Sequence, residues 1–220
     1  MTMKKWKIGI LTSSDSWMAP YFESLRRNLE LKGHSVSFAT MPDELREPLD
    51  VVFILSYKRI LPGDFLKKHR HNLVVHASDL PKGRGWSPLN RQILEGANEI
   101  PVCLFEAEES LDTGDIYIRE KLVFEGHELL PEMLDSLAKT INQMIISFLD
   151  DYENVMKNAR KQVGEPTFYN RRRPKDSELD IDGSIREQFN LLRVVDNERY
   201  PAFFKHEGHI YILKIQKKDS

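Results

Sequence analysis

The chain has 220 residues, with 32 Lys and Arg against 34 Asp and Glu and a net charge of -2. That length suits one main domain with a small appendage, and the charge balance leaves no global basic field to recruit nucleic acid or an anionic membrane. The single cysteine, Cys103, rules out an internal disulfide and a zinc site built on several thiolates.

Residues 1–10 carry Lys4, Lys5 and Lys7 among only a few apolar residues, too short and broken for a signal peptide, and no apolar run is long enough to span a bilayer. A cytoplasmic enzyme is expected. Lys7-Ile8-Gly9-Ile10-Leu11 reads as a strand, and residues 20–31 place Phe22, Leu25, Leu29 and Leu31 near helical period before the stop at Gly33. Ser35-Val36-Ser37-Phe38 alternates like a strand, and residues 50–55 form a continuous buried one. Strands alternating with helices predict an α/β fold with a mainly parallel, Rossmann-like sheet covered on both faces. Asn72-Leu73-Val74-Val75-His76 is a further strand, residues 88–94 a helix stopped at Gly96, and residues 102–105 and 115–122 are extended. Cys103 falls within that apolar stretch and reads as a buried structural thiol. A long helix over about residues 130–156 carries an apolar stripe through Leu134, Leu137, Ile141, Met144, Ile145 and Phe148.

Pro166 and the run Arg171-Arg172-Arg173 break the pattern, which divides the chain into a catalytic domain, residues 1–163, and a small α+β unit, residues 164–220. In the second unit residues 184–195 read as a helix, and two short strands flanking Glu207-Gly208 read as a hairpin.

A histidine at the carboxyl end of a buried parallel strand projects into the crevice where open α/β sheets bind ligands, which is the position of His76. Asp112 lies in a glycine-containing turn from which its carboxylate can reach the same crevice. Either residue alone is more often structural, since an aspartate before Thr-Gly is a common turn former.

The surrounding motifs resemble the formyltransferase family that includes methionyl-tRNA, glycinamide ribonucleotide and amino-sugar formyltransferases. Ser56-Tyr57-Lys58-Arg59-Ile60-Leu61-Pro62 resembles the family's Ala-Tyr-Gly-x-Ile-Leu-Pro; His76-x-Ser78-x-Leu80-Pro81, Arg84-Gly85-x-x-Pro88 and Leu111-Asp112-Thr113-Gly114-Asp115-Ile116 follow its spacing. The resemblance implies 10-formyltetrahydrofolate as donor, attack by a neutral amine, His76 stabilising the oxyanion and assisting proton transfer, Asp112 orienting and charge-stabilising His76, and no metal. It implies a pterin pocket closed by backbone of residues 105–112 and 78–81, which makes Ser78, Leu80, Pro81, Phe105, Glu106, Glu108 and Leu111 the donor-binding candidates. One departure stands out: the family has asparagine two residues before the histidine, and here that residue is Val74, with Asn90 or a backbone donor as replacement candidates.

For the acceptor, the loop Thr12-Ser13-Ser14-Asp15-Ser16-Trp17 lacks the glycines a phosphate loop would need, and a tRNA enzyme should be longer with a basic C-terminal domain. Thr167-Phe168-Tyr169-Asn170-Arg171-Arg172-Arg173-Pro174-Lys175-Asp176 instead resembles the appendage of nucleotide-sugar formyltransferases. The resemblance therefore implies a nucleotide-linked amino sugar as partner, of the UDP-linked 4-amino kind used in making N-formylated pseudaminic acid, and no nucleic acid or membrane; a dTDP-linked 4-amino sugar, a later nonulosonic acid or methionyl-tRNA as acceptor, and a non-catalytic folate-binding relative that lost the asparagine, stay open as alternatives. Lys82, Arg84, Gly85, Trp86, Asn90, Arg172 and Arg173 are the acceptor-binding candidates, and a homodimer is left open.

Overall fold

The computed structural model describes residues 4–218, so the first three positions of the lysine-bearing opening lie outside the described residues. In chain order the elements are β1 (Lys7–Thr12), α1 (Phe22–Leu31), β2 (Ser35–Ala39), β3 (Val51–Leu55), α2 (Gly63–Lys68) and β4 (Asn72–His76). The two-residue β5 (Arg84–Gly85), α3 (Pro88–Leu94), β6 (Glu99–Glu106), β7 (Ile116–Val123) and α4 (Leu130–Asp150) follow. After α5 (Tyr152–Lys157) come β8 (Phe168–Tyr169), α6 (Phe189–Arg193), β9 (Ala202–His206) and β10 (His209–Leu213).

The central sheet has the order β2-β1-β3-β4-β6-β7. Its first four strands are parallel, and β6 and β7 add to it antiparallel. Strand periodicity divides the core into two layers. Ile8 and Ile10 of β1 and Val51, Phe53 and Leu55 of β3 face one layer with Leu137, Ile141, Met144 and Phe148 of α4. Leu11, Val52 and Ile54 face the other with Leu61 and with Phe65 of α2. The all-apolar β3 is thus buried on both faces, as expected for a central parallel strand.

Three local expectations are corrected. Leu31 is 77% exposed at the last turn of α1, whose core contacts are Leu25, Leu29 and, partly buried, Phe22. The long C-terminal helix of the main domain is two helices, because Asp151 leaves helical geometry at φ -120°, ψ 34° and accepts the Asn154 side-chain N–H at 3.0 Å. The helix expected over residues 184–195 is confined to α6: the Gln188 side chain hydrogen-bonds both the N–H and the C=O of Asp180 and folds the preceding segment into a loop, leaving Ile185 61% exposed.

The C-terminal segment has its own small core of Leu179, Leu192, Val195 and Ala202, over which β9 and β10 pair antiparallel through a Glu207-Gly208 turn with φ +48° and +81°. It is fastened to the main domain by Arg193. This buried guanidinium donates to the Glu128 carbonyl (3.0 Å), the Glu128 carboxylate (3.2 Å) and the Asn98 side-chain oxygen (2.9 Å). Among the described residues no helix is long and apolar enough to cross a membrane.

Candidate active site

The carboxyl ends of β3 and β4 open into a cavity of about 950 Å³. Its floor is apolar, with Phe105 of β6 and Leu130, Leu134, Leu137 and Ile141 of α4, and its rim carries Lys58, Arg59, Arg171, Arg173 and Arg199. In a chain of net charge -2 that rim is a local concentration of positive charge. Lys58 is paired with Asp15, and Arg199 sits 3.7 Å from Asp196. Arg59 and Arg173 have no carboxylate within ion-pair distance among the described residues.

His76 ends β4 and lines the cavity, its ring buried. Its Nε2 lies 2.8 Å from the Gly83 carbonyl, an acceptor only, so Nε2 carries a proton and donates it to that carbonyl. Among the described residues Nδ1 has no hydrogen-bond partner. The Asp112 carboxylate stands 3.9 Å from Nε2, an ion-pair separation rather than a hydrogen bond. Its Oδ2 instead accepts the Gly85 N–H at 2.9 Å. His76 and Asp112 therefore grip the same loop, one through Gly83 and the other through Gly85.

That loop is held from a third side. Arg84 and Gly85 pair in parallel with Phe168 and Tyr169 through Arg84 N–H to Thr167 (2.9 Å) and Trp86 N–H to Tyr169 (3.0 Å). The Thr167 hydroxyl oxygen accepts the Gly83 N–H at 2.8 Å, and Gln162 donates to the Asp112 and Gly114 carbonyls while accepting from the Arg84 guanidinium. The stretch read from sequence as a break between units thus runs beside the polar pair.

Of the residues singled out from sequence, His76, Gly85, Trp86, Asn90, Phe105, Glu108, Leu111, Asp112, Arg172 and Arg173 line the one cavity. Ser78, Leu80, Pro81, Lys82, Arg84 and Glu106 do not. Ser78, Leu80 and Pro81 are buried behind it, Leu80 packing on Cys103 and Phe105. Lys82 is exposed outside it, and Arg84 is turned to Gln162. The Glu106 carboxylate is committed elsewhere, to His71 Nδ1 (3.0 Å), the Tyr117 hydroxyl (3.0 Å) and the Asn72 N–H (2.6 Å). Its burden shows on Tyr117, whose hydroxyl is pushed far above its ordinary range by burial and by the neighbouring carboxylate.

Arg172 lines the cavity but spends its guanidinium on the Val194 and Asp176 carbonyls, and burial lowers its proton affinity. Arg171 instead stacks over the Trp86 ring at 4.9 Å. Asn90 donates one side-chain N–H to the Val194 carbonyl at 3.0 Å, and Asn72 donates one to the Leu66 carbonyl at 2.8 Å, so each amide is anchored to backbone. Val74 packs with the apolar residues of both neighbouring clusters, Leu61 on one side and Cys103 and Phe105 on the other.

Sequence reasoning passed over Ser56, Lys58, Arg59, Arg199 and Gln162. Lys58 and Arg59 were legible as charged residues inside an otherwise apolar motif; Gln162 and Arg199 carry no local signal.

A mixed α/β sheet with a His–Asp pair beside its strand ends and a capacious, largely apolar cavity is an architecture suited to binding a ligand at the strand ends. The family model described as formyl transferase matches residues 31–149, and the chain belongs to that family. A methionyl-tRNA formyltransferase of Sulfurihydrogenibium sp. is 31% identical over 171 residues, covering 76% of this chain and 55% of the relative. The chain spans about half the length of the curated relatives it matches. Among solved structures, a methionyl-tRNA formyltransferase from Clostridium thermocellum superposes with a TM-score of 0.79 at 25% identity, over 97% of this chain and 94% of that one. A 4-N formyltransferase from Francisella tularensis shares the fold, with a TM-score of 0.72 at 18% identity over 97% and 99% of the two chains.

Proposed function

We propose that the chain transfers a formyl group from 10-formyltetrahydrofolate to the amino group of a nucleotide-linked amino sugar. The observation that carries this reading is one cavity that joins the His76–Asp112 pair, an apolar floor suited to a flat pteridine, and an arginine- and lysine-bearing rim suited to phosphates. In its neutral form His76 would offer Nδ1 to the proton that the attacking amine must shed, while Nε2 stays on Gly83. The resulting imidazolium would be balanced by Asp112 at 3.9 Å, and the two residues that tether the loop would keep both groups in register. Trp86, backed by Arg171, would offer a flat face to a sugar or base at the cavity wall. Within this class, the motif running from Ser78 to Pro88 favours a UDP-linked 4-amino sugar of the pseudaminic acid type.

A second acceptor, methionyl-tRNA, is favoured by the methionyl-tRNA formyltransferases among the relatives above, against which stands the near-neutral net charge. The test is tetrahydrofolate release from 10-formyltetrahydrofolate with UDP- and dTDP-linked 4-amino sugars and with methionyl-tRNA as acceptors. Turnover with an amino sugar nucleotide is expected; turnover with methionyl-tRNA alone would transfer the assignment to the second reading, and turnover with neither would remove it.

A further inference from the structure

We infer that the Ser56 hydroxyl is the hydrogen-bond donor to the formyl oxygen, in place of a side-chain amide at position 74. The inference rests on the formyl-transfer reading of the cavity and adds a reacting group to it. If Nδ1 of His76 receives the amine proton, the oxygen that gains negative charge needs a separate donor. Val74 has none, Asn72 lies outside the cavity lining, and the Asn90 amide is anchored through one of its N–H groups to the Val194 carbonyl.

Ser56 is placed to supply it. In the parallel ladder Ile54 pairs with Val74, so Ser56 and His76 each lie two residues beyond that pair, at the neighbouring ends of β3 and β4, and both line the cavity. Among the described residues no hydrogen bond engages the hydroxyls of the cavity serines Ser56, Ser87 and Ser110, and of these three only Ser56 stands at a strand end of the central sheet, beside His76. The Ser56 backbone has φ +53°, a conformation in which glycine would be unstrained. Of the four non-glycine residues with positive φ among the described residues, Ser56, Ser87 and Asp112 all border this cavity, the pattern of backbone held in a less favourable state to aim a group. In the motif that resembles the family's Ala-Tyr-Gly-x-Ile-Leu-Pro, Ser56 also stands at the alanine position, so a hydroxyl is gained next to the place where an amide is lost. In the reaction the nitrogen–carbonyl bond to the acceptor forms, the donor's N10–carbonyl bond breaks, the amine proton passes through His76 to the leaving nitrogen, and the Ser56 hydroxyl donates throughout without losing its proton.

The experiment compares wild type with Ser56→Ala and with Ser56→Gly, the second removing the hydroxyl while relieving the positive φ. Turnover should fall about 100-fold in both, as for loss of one oxyanion donor. Binding is measured with 10-formyl-5,8-dideazafolate and with its deformylated counterpart. The wild-type preference for the formylated compound should shrink up to about tenfold in the variants, with affinity for the deformylated one unchanged. A thermal melt of Ser56→Gly at or above wild type would separate the hydroxyl from the backbone. Wild-type turnover in either variant, or an equal loss of affinity for both compounds, would overturn the role of Ser56 while leaving the folate site intact. Failure of wild type to bind either compound would instead overturn the formyl-transfer reading and the Ser56 role with it.

Discussion

Gly85→Ala tests whether the loop between the two polar residues is held by its backbone. A Cβ built on Gly85 would lie 2.6 Å from the Tyr169 carbonyl oxygen, at a backbone φ of +100°. A carbon needs about 3.3 Å from such an oxygen, so β5 and β8 must part by roughly 0.7 Å. That movement weakens the two backbone hydrogen bonds from Arg84 to Thr167 and from Trp86 to Tyr169. At about 1 kcal/mol each, with a further 1–3 kcal/mol or so for a side chain in that φ region, the stability cost is about 3–5 kcal/mol. The same displacement lengthens the Gly85–Asp112 hydrogen bond and shifts Asp112 against His76, for which a rate loss on the order of 10- to 100-fold is expected. The assay pairs urea unfolding with single-turnover formyl transfer. Gly96→Ala is the control, since its φ is +92° but nothing lies within 4 Å of the added methyl, and it should lose stability without losing rate. If Gly85→Ala behaved like Gly96→Ala, with wild-type turnover, the loop would not be what aligns the pair.

His76→Asn should abolish most turnover while leaving folate-analogue affinity unchanged by calorimetry, and Asp112→Asn should slow turnover while retaining the acceptor for the Gly85 N–H. Val74→Asn combined with Ser56→Ala should recover part of the turnover lost in Ser56→Ala alone, in the same assay. Arg193→Ala should cost about 2–3 kcal/mol in urea unfolding, because it removes a buried guanidinium's hydrogen bonds to Glu128 and Asn98. Burial pushes His34 and His69 below the ordinary histidine range, each accepting a backbone N–H at Nδ1, from Trp6 and Leu49. The folded chain therefore keeps both neutral while the unfolded chain protonates near pH 6.5, so unfolding free energy should be full above that value and decline as pH falls below it. Replacement of both residues with glutamine should flatten that decline.

Elements made of contiguous, strongly patterned residues were legible. The apolar run at β3, the strand ending in His76 and the Glu207-Gly208 turn needed no tertiary information. What periodicity could not supply was the commitment of individual polar groups. Glu106 reads like its neighbours Glu108 and Glu109, yet only its carboxylate is drawn to His71, Tyr117 and Asn72, because β6 pairs with β4 in the register that sets Glu106 opposite Leu73. Arg172 and Arg173 likewise read as a matched pair, but one bonds carbonyls of its own unit and the other stays on the rim. The helix over residues 184–195 failed because Gln188 found a partner eight positions back, a competition between side chain and backbone that composition does not encode.

The pairing of β5 with β8 has a consequence for how such a chain can be recombined. Thr167 and Tyr169 belong in sequence to the connector, yet they finish the loop that His76 and Asp112 hold. A chimera joined at residue 164 to give the main domain another acceptor-binding appendage would carry foreign contacts into the loop, whereas a junction placed after Asn170 would keep the loop's own partners. The exchangeable cassette therefore begins several residues later than the Gly164 to Pro166 break suggests, and a library built on the earlier seam would confound altered acceptor preference with a loosened reaction centre.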